Sequence, residues 1–321
     1  MSEPTTVFEV GERERGKRLD RFLNERIPGV SRAYVQRAIR DRVTLSWGVT
    51  ARPATPVRPG GRVVVGWVPI TETPLNITLP ILAKGAGWLA VDKPAGIPVH
   101  PVNSVRENSL IRMLRRQEGR ERLRLVHRLD RETSGVLLIA EDPASARALS
   151  TAFERGRVGK EYLALVRGVV GEDEGTISLP IADASGSWVH VRREAGEGGQ
   201  PAETSWRVER RLADRTLVRL FPRTGRRHQL RVHLAAIGHP VLGDILYGRP
   251  DRDYLDMVKG VRDARKDEGG PPRHLLHCAR LVFQSPEGGE REVTSPLPPD
   301  FVEALGERVE RCAPAPIIPD R

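Results

Sequence analysis

The chain has 321 residues, of which 39% are hydrophobic and 29% are charged. This is enough apolar material to bury a core, and no apolar run approaches the roughly 18 residues that a membrane span needs. Basic residues exceed acidic ones by 10, which excludes neither RNA nor DNA but predicts a polyanionic partner, because lysine and arginine release counterions from phosphates.

The length favours two domains, one large and one small. Two cysteines occur, Cys278 and Cys312, without the CxxC spacing of a zinc or disulfide framework. We therefore expect reduced structural thiols. The sequence MSEPTTVFEV carries acidic residues and lacks the basic-then-apolar pattern of a signal peptide, so we expect a cytoplasmic protein that does not act at a membrane.

The first predicted elements lie in a basic segment between residues 14 and 66, which holds twelve lysines and arginines against four acidic residues. Leu19, Phe22 and Leu23 recur at helical spacing. The sequence Ile27-Pro28-Gly29 predicts the end of that helix.

Ser31 is placed to cap a second helix that runs from Arg32 to about Arg40. Its apolar positions are predicted to face inward, namely Tyr34, Val35, Ala38 and Ile39. The opposite face is polar and consists of Arg32, Gln36, Arg37 and Arg40. Two short β-like runs follow, at residues 43–45 and 62–65, with proline and glycine between them. Two helices and a small sheet with one basic face are the predicted outline.

The run GKRLDRFLNERIPGVSRAYVQRAIRDRVTLSWGVTARPATPVRPGGRVVV resembles the RNA-binding module shared with ribosomal small-subunit protein four, the alpha-L motif. The resemblance implies a small α/β RNA-binding domain at residues 14–68, after a tail at 1–13. It implies RNA contacts from Arg18, Arg32, Arg37 and Arg40. The alternative is that these arginines only solvate a small domain. Prolines and threonines without helical period predict a linker at residues 69–80.

From residue 81 onward, short β-branched strands alternate with brief helices, without the regular strand-helix alternation of a parallel sheet. We therefore predict an α+β domain with a mixed, largely antiparallel sheet at residues 81–310, followed by a tail at 311–321. No glycine-rich phosphate loop stands at a strand-to-helix junction, so we expect no nucleotide cofactor.

The densest polar cluster is LVHRLDRETSG at residues 125–135, directly before the apolar run VLLIA. A loop fixed at both ends by buried strands is a rigid place to present reactive groups, and Asp130 is its candidate carboxylate. From the residues alone, Asp130 could equally cap a turn through the amides of Thr133 or Ser134.

The sequence HRLDRETSG resembles the signature of the RluA/RluD-type pseudouridine synthases, whose aspartate at this position is catalytic. Further segments stand in the family's order: DKPAG at 92–96, KEYLA at 160–164, RTGRRHQLRVHL at 223–234, GHPVLGD at 238–244, LLH at 275–277 and SPLP at 295–298. The resemblance covers nearly all of residues 81–303. It implies an isomerase that converts uridine in structured RNA to pseudouridine, without a cofactor because no oxidation state changes.

The resemblance also implies roles for single residues. Asp130 would be the essential carboxylate, as a nucleophile toward the sugar or as a base at its 2′ position, and the sequence leaves both roles open. Arg231 would pair with Asp130 and favour its ionised form. Tyr162 would stack on the uracil with its hydroxyl near the C5 proton, the alternative being a half-buried strand tyrosine. Leu230 would pack against the base, the alternative being ordinary burial in a strand.

The target uracil must leave its stack to enter such a site, which is easiest in loops and bulges. Four arginines are candidates to grip flanking phosphates: Arg128, Arg131, Arg226 and Arg227. His127 is a candidate to assist them or to make a structural hydrogen bond. We expect no metal, because no carboxylate or thiolate accompanies the other histidines at ligand spacing. These are His228, His233, His274 and His277.

The combination of module and catalytic domain resembles synthases of bacterial large-subunit ribosomal RNA, with transfer RNA as an alternative substrate. A different class of function is a catalytically silent RNA-binding factor of ribosome assembly, against which the set of Asp130, Tyr162 and Arg231 argues. No helix-turn-helix indicates DNA binding, and we expect a monomer. Two stretches depart from the family pattern, residues 194–200 and 251–272, and are predicted either to contact RNA or to be disordered.

Overall fold

The structure is a computed structural model that describes residues 5–27, 32–66, 72–102 and 105–306. The predicted Ser31 cap, the start of the linker, the side chain of Arg32 and the tail at 311–321 lie outside the described residues. The chain forms two compact units: Met1–Leu75 with Pro101–Asn108, and Asn76–His100 with Ser109–Arg321. Within the described ranges, no helix is both long and apolar enough to cross a membrane.

The first unit packs two helices on a three-stranded antiparallel sheet with the order β1-β3-β2. Its elements are β1 Thr5–Glu9, α1 Leu19–Arg26, α2 Arg32–Arg42, β2 Val43–Leu45 and β3 Arg62–Gly66. The two predicted helices and two predicted strands are confirmed. The expected tail at residues 1–13 differs, because it contains β1, which pairs along its whole length with β3 and covers an edge that would otherwise be open.

One apolar face on each helix builds the core of the first unit. Leu19, Phe22 and Leu23 of α1 and Val35 and Ile39 of α2 are all buried, as their helical spacing requires. This packing leaves the opposite side of α2 in solvent, so a basic face remains on the surface.

A partly buried ion pair lies at the start of α1. Asp20 is fully buried, and its carboxylate accepts hydrogen bonds from Arg18 Nε and Nη2, both at 3.1 Å, and from Gln36 Nε2 at 2.9 Å. Arg18, predicted as an RNA contact, is therefore also a structural partner of Asp20, although half of its side chain is exposed. The side chains of Arg37 and Arg40 are exposed.

The second unit is built on a ten-stranded sheet with the order β4-β5-β7-β14-β8-β13-β12-β9, to which β15 adds beside β14 and β6 beside β7. The strands are β4 Ile81–Gly85, β5 Trp88–Lys93, β6 Arg124–Leu125, β7 Ser134–Ala140, β8 Gly159–Arg167, β9 Glu174–Ile177, β12 Thr204–Arg211, β13 Arg215–Pro222, β14 Leu276–Gln284 and β15 Glu290–Thr294. A separate ribbon pairs β10 Ile181–Asp183 with β11 Arg193–Ala195.

The helices of this unit are α3 Leu110–Glu118, α4 Pro143–Glu154, α5 Gln229–Ala236, α6 Asp251–Val258, α7 Ala264–Asp267 and α8 Pro299–Ala304. Among the described strands of the large sheet, β7 and β14 form the one parallel pair. The prediction of an α+β fold with a mixed, largely antiparallel sheet is confirmed.

The parallel pair fixes the end of the candidate catalytic loop. Every residue of β7 is buried, as expected for a continuous apolar run in a central strand. His277 lies opposite Ser134, and Cys278 lies opposite Gly135. Gly135 has φ 110°, and a Cβ there would stand 2.2 Å from the carbonyl oxygen of Cys278. Only glycine allows the two strands to approach this closely.

Two expectations from the sequence differ from the structure. Leu230 lies in helix α5, so its alternative of burial in a strand was wrong. The alternation of QLRVHL resembles a strand pattern, but all residues from Gln229 to Leu234 are buried, and alternation carries no information where every side of an element is covered. The stretch 251–272, for which disorder was one alternative, contains helices α6 and α7.

Candidate active site

A cavity of about 600 Å³ opens in the second unit. It is enclosed by the loop before β7, by strand β8, and by the segment that leads into α5. The three residues predicted to carry catalysis line this cavity together, namely Asp130, Tyr162 and Arg231. Leu230 also lines it. The fold thus gathers at one wall residues that are widely separated in sequence.

A buried lysine holds the loop that carries Asp130. Lys93 is fully buried, and its Nζ donates hydrogen bonds to the carbonyl oxygens of Pro94 at 2.8 Å, Arg131 at 2.9 Å and Thr133 at 2.8 Å. Burial lowers the pKa of Lys93 to about 7. On the other side of the loop, Thr133 Oγ1 hydrogen-bonds to His274 Nε2 at 2.8 Å. Because both sides are tied to buried groups, the loop has a fixed backbone.

The carboxylate of Asp130 lines the cavity and does not cap the turn, which is closed by a backbone hydrogen bond. The amide of Thr133 donates to the carbonyl oxygen of Asp130 at 3.2 Å, whereas Asp130 Oδ2 accepts a hydrogen bond from Arg231 Nη1 at 3.0 Å. Burial opposes ionisation, but the cation of Arg231, which also donates a hydrogen bond, lowers the pKa of Asp130 below its ordinary value by a larger amount. Asp130 is therefore an anion at neutral pH.

Arg231 connects this carboxylate to a second one. Its Nε and Nη2 donate to Asp244 at 2.6 and 2.9 Å, and its guanidinium lies 5.0 Å from the centre of the Tyr247 ring. Asp244 is fully buried and also accepts from the amides of Leu246 at 2.8 Å and Tyr247 at 3.1 Å. Sequence reasoning missed Asp244, and the only available signal was its place in the segment GHPVLGD.

Tyr162 and Leu230 form apolar walls of the cavity. Tyr162 is 9% exposed and Leu230 is 7% exposed. Tyr162 of β8 lies opposite Cys278 of β14. Burial raises the pKa of Tyr162 well above its ordinary value and that of Cys278 to about 12, so both groups are neutral. A flat ring and an aliphatic side chain at one cavity are suited to hold a planar base.

The predicted phosphate-gripping arginines divide into two groups. Three are exposed and line the cavity: Arg128, Arg226 and Arg227. Arg131 is absent from the described residues that line the cavity, and its Nε donates to the carbonyl oxygen of Gly96 at 2.9 Å. Arg131 therefore contributes to anchoring the catalytic loop.

The ring of His127 is engaged within the protein. Its Nε2 accepts a hydrogen bond from the amide of Leu138 at 2.9 Å, and it stacks on Phe153 with 4.2 Å between ring centres. Burial lowers the pKa of His127 to about 3, so the ring is neutral at physiological pH. This geometry favours the structural hydrogen bond over a phosphate contact.

The remaining histidines are placed apart from any metal cluster. Within the described part of the chain, no group of three or more His, Cys, Asp or Glu side chains could hold a metal ion. His233 and His277 each use both ring nitrogens in hydrogen bonds, to Thr204 and Leu179 and to Ser134 and Ser295, respectively. His228 lines the cavity with Nε2 at 4.0 Å from Asp130 Oδ1, and sequence reasoning had weighed it only as a metal ligand.

The inserted helix α7 reaches the catalytic loop through one buried arginine. Arg265 is 6% exposed, and its Nη1 donates to Glu132 Oε1 at 3.1 Å while its Nε donates to Asp263 Oδ1 at 3.0 Å. Glu132 follows Asp130 by two residues. The insert therefore supports the backbone on which the candidate catalytic carboxylate is mounted.

The sequence matches the protein family described as RNA pseudouridylate synthase over residues 87–236. It is 34% identical over 307 residues to a protein of Chloroflexus aurantiacus named uncharacterized RNA pseudouridine synthase, with 92% of each chain covered. It is 33% identical over 310 residues to ribosomal large subunit pseudouridine synthase D of Xanthomonas campestris pv. campestris, covering 93% of this chain and 92% of that protein.

A solved structure gives the same result for the fold. Human RNA pseudouridylate synthase domain containing 1 is similar with a TM-score of 0.57 and 31% identity, over 72% of this chain and 89% of that one. The family match spans Asp130, Tyr162 and Arg231, which the cavity brings together. The resemblance to the pseudouridine synthases is thus confirmed, and the protein belongs to the RNA pseudouridine synthases, isomerases that act on RNA.

Proposed function

We propose that this enzyme isomerises specific uridines of large-subunit ribosomal RNA to pseudouridine, with Asp130 as the catalytic carboxylate. The observation that carries the proposal is the ionised Asp130 side chain, fixed by Arg231 at 3.0 Å in the wall of a cavity of about 600 Å³. A single uridine that has left its stack is the substrate such a cavity suits. The ribosomal substrate is supported by the name of the Xanthomonas relative.

The reaction is balanced without any second reactant. The bond between N1 of uracil and C1′ of ribose breaks, the base turns, and C5 bonds to the same C1′ carbon. The C5 proton is lost and N1 gains one, so nothing is oxidised or reduced. As an anion, Asp130 is suited to attack C1′ or to remove a proton at the 2′ position. Arg231 keeps that anion in one orientation in either case.

Tyr162 and Leu230 hold the base while its bond to the sugar is broken. The released uracil must turn without escaping, which requires close walls on both faces rather than a charged grip. Burial raises the pKa of Tyr162, so its hydroxyl is neutral and a poor base, and we assign to the tyrosine ring the role of a stacking wall. Arg128, Arg226 and Arg227 at the rim hold flanking phosphates.

The first unit is proposed as the RNA grip and the second as the catalytic domain. Helices α1 and α2 pack with strands β2 and β3 around one apolar core, with Arg37 and Arg40 exposed on α2. Phosphate contacts of this kind supply affinity without reading sequence. The catalytic domain at residues 81–310 then selects a uridine that is accessible.

The deciding experiment is mass-spectrometric mapping of pseudouridine in total RNA from cells that lack this gene. The cells are complemented with the wild type, with Asp130→Asn, or with the matched control Asp214→Asn, whose carboxylate is exposed beside Arg215. We expect specific large-subunit sites to disappear and to return with the wild type and the control only. A loss confined to transfer RNA would overturn the ribosomal substrate, and no loss anywhere would point to a silent RNA-binding factor. Pseudouridine made by Asp130→Asn would refute the carboxylate assignment.

A further inference from the structure

The backbone of His228 is held in a conformation that side chains rarely adopt. Its φ is 57° and its ψ is 16°, and among the described residues it alone has a positive φ without being glycine. It occupies the position directly before α5 and lines the cavity. Left-handed backbone at a non-glycine residue persists where the surroundings impose it, which is frequent at functional sites. The fold therefore imposes a rare backbone conformation on a residue that lines the cavity.

The hydroxyl of Tyr247 sets which ring nitrogen of His228 carries the proton. The amide of Arg193 donates to Tyr247 Oη at 3.1 Å, and Oη lies 2.8 Å from His228 Nδ1. Oη accepts a hydrogen bond from the Arg193 amide, so its own hydrogen is free to be donated. Among the described residues, His228 Nδ1 is the acceptor within hydrogen-bond distance of Oη. Burial lowers the pKa of His228 to about 3. The ring is thus neutral at physiological pH, and its proton resides on Nε2.

That Nε2–H group faces Asp130 Oδ1, an oxygen to which no hydrogen bond is made within the described part of the chain. His228 Nε2 and Asp130 Oδ1 are 4.0 Å apart, too far for a direct hydrogen bond. The other oxygen, Oδ2, is occupied by Arg231. A donor and an acceptor therefore stand opposite each other across a gap. For an oxygen placed about 2.8 Å from both atoms, the angle Nε2–O–Oδ1 would be roughly 90°. This angle suits a hydroxyl that accepts a hydrogen bond from Nε2 and donates one to Oδ1.

The reaction identifies the hydroxyl. Asp130 works at the sugar of the target nucleotide, beside C1′, and the hydroxyl nearest to that carbon is on C2′. We propose that His228 Nε2 and Asp130 Oδ1 bind the 2′-hydroxyl of the target ribose, so that the catalytic pocket itself separates ribonucleotides from deoxyribonucleotides. This inference rests on the proposed function, because it takes the reacting sugar to lie against Asp130. The 2′-hydroxyl is the group by which a protein tells RNA from DNA.

The test compares a short RNA hairpin carrying one unpaired uridine in its loop with the same hairpin carrying 2′-deoxyuridine at that position. The dissociation constants are measured for the wild type and for His228→Asn, which tolerates left-handed backbone but withdraws the ring donor. We expect the wild type to bind the deoxy hairpin at least ten-fold more weakly, because both hydrogen bonds of the 2′-hydroxyl are lost and one of them is to an ionised group. His228→Asn should bind the ribose hairpin more weakly than the wild type does and should discriminate less between the two hairpins, because only the hydrogen bond to Asp130 Oδ1 remains.

A second variant covers the case in which His228→Asn does not fold. Tyr247→Phe keeps the ring and removes the hydroxyl that fixes the proton on Nε2, so discrimination between the hairpins should fall in this variant too. Full discrimination in either folded variant would overturn the proposal.

Failure of this inference and failure of the proposed function are distinguishable. A wild type that makes pseudouridine but binds both hairpins equally has no 2′-hydroxyl site. In that case, the edge of the uracil would be the group that lies between His228 and Asp130. A wild type that discriminates between the hairpins, while gene loss leaves cellular pseudouridine unchanged, retains the 2′-hydroxyl site and loses the proposed reaction.

Discussion

Arg231 and Asp130 are 101 residues apart in the chain and are joined by a 3.0 Å hydrogen bond in the wall of the cavity. The same guanidinium makes two hydrogen bonds to Asp244. One buried cation therefore compensates two buried carboxylates, and each of them depends on it for the ionised form. This arrangement couples the stability of the site to its chemistry.

Removing the cation of Arg231 should lower the stability of the protein and change the pH dependence of its reaction. In Arg231→Met, two carboxylates lose their partner, and we expect the free energy of unfolding to fall by roughly 3–5 kcal/mol. The pKa of Asp130 should rise, because the cation that favours its anion is gone, so the acid limb of the profile of kcat/KM against pH should move to higher pH. Urea unfolding and that profile measure the two effects.

A surface pair provides the control for this variant. Arg215 makes two hydrogen bonds to Asp214, with about a third of the arginine side chain and most of the carboxylate exposed. Arg215→Met should change the free energy of unfolding by about 1 kcal/mol or less. Equal effects of the two substitutions would show that the network around Arg231 is not special.

The insert at residues 251–272 should influence the rate more than the affinity. Arg265→Met removes the bond to Glu132 and loosens the loop that carries Asp130. Because the described residues of α7 do not line the cavity, we expect kcat to fall about ten-fold with KM for RNA nearly unchanged, as for a small misplacement of a reactive group. Arg262→Met is the matched control, since Arg262 is in the same insert but half exposed, paired with Asp267 at 2.5 Å. Wild-type kcat in Arg265→Met would remove the positioning role.

Three buried histidines should make the enzyme sensitive to mild acid. Burial lowers the pKa of His127 and of His228 to about 3 and that of His277 to about 4. As the pH falls below about 6.5, these histidines bind protons in the unfolded chain but stay neutral in the native state. The free energy of unfolding therefore decreases until the pH reaches the lowered native pKa. At pH 5.5 the expected loss is about 1.4 kcal/mol for each histidine relative to pH 7.5.

Urea unfolding followed by tryptophan fluorescence at pH 7.5 and pH 5.5 measures this loss. Carboxylates contribute little to the difference in the free energy of unfolding between these two pH values, because their unfolded pKa values lie near 4. His277→Asn should show a smaller decrease than the wild type over the same range. A free energy of unfolding that is independent of pH between these values would contradict the neutral assignment of the buried rings.

The exposed arginines of α2 should set the salt dependence of RNA binding. If Arg37 and Arg40 each contact one phosphate, replacing both with glutamine should reduce the slope of log affinity against log salt concentration by about 1.4 to 1.8. Binding is measured by titration of RNA at several salt concentrations. Arg291→Gln, an exposed arginine in β15 of the second unit, is the control and should leave the slope unchanged. An unaltered slope in the double variant would mean that α2 is not the RNA grip.

Local patterns in the sequence were sufficient where one face of an element is buried and the other is exposed. Leu19, Phe22 and Leu23 stand at helical spacing, and the structure buries all three on α1. The all-apolar run VLLIA likewise predicted a buried strand, now part of β7. The polar loop before it, with its family signature, directed attention to Asp130 from the sequence alone. In each case the relevant information is contained within about ten consecutive residues.

The tertiary structure alone decided how the site is completed. The sequence left burial of Leu230 in a strand open, but Leu230 lies in α5, where residues 229–234 are all buried and the periodicity has no solvent-facing position to reveal a helix. Tyr247 carries no local mark of function, and the family segments that contain His228 and Asp244 assign neither of them a role, because these roles depend on contacts with Arg231 and Asp130 that only the folded chain makes. A sequence records which residues prefer burial or a turn. Which buried polar groups become partners is determined by long-range packing, because a hydrogen bond depends on distances of a few tenths of an ångström that only the folded sheet establishes.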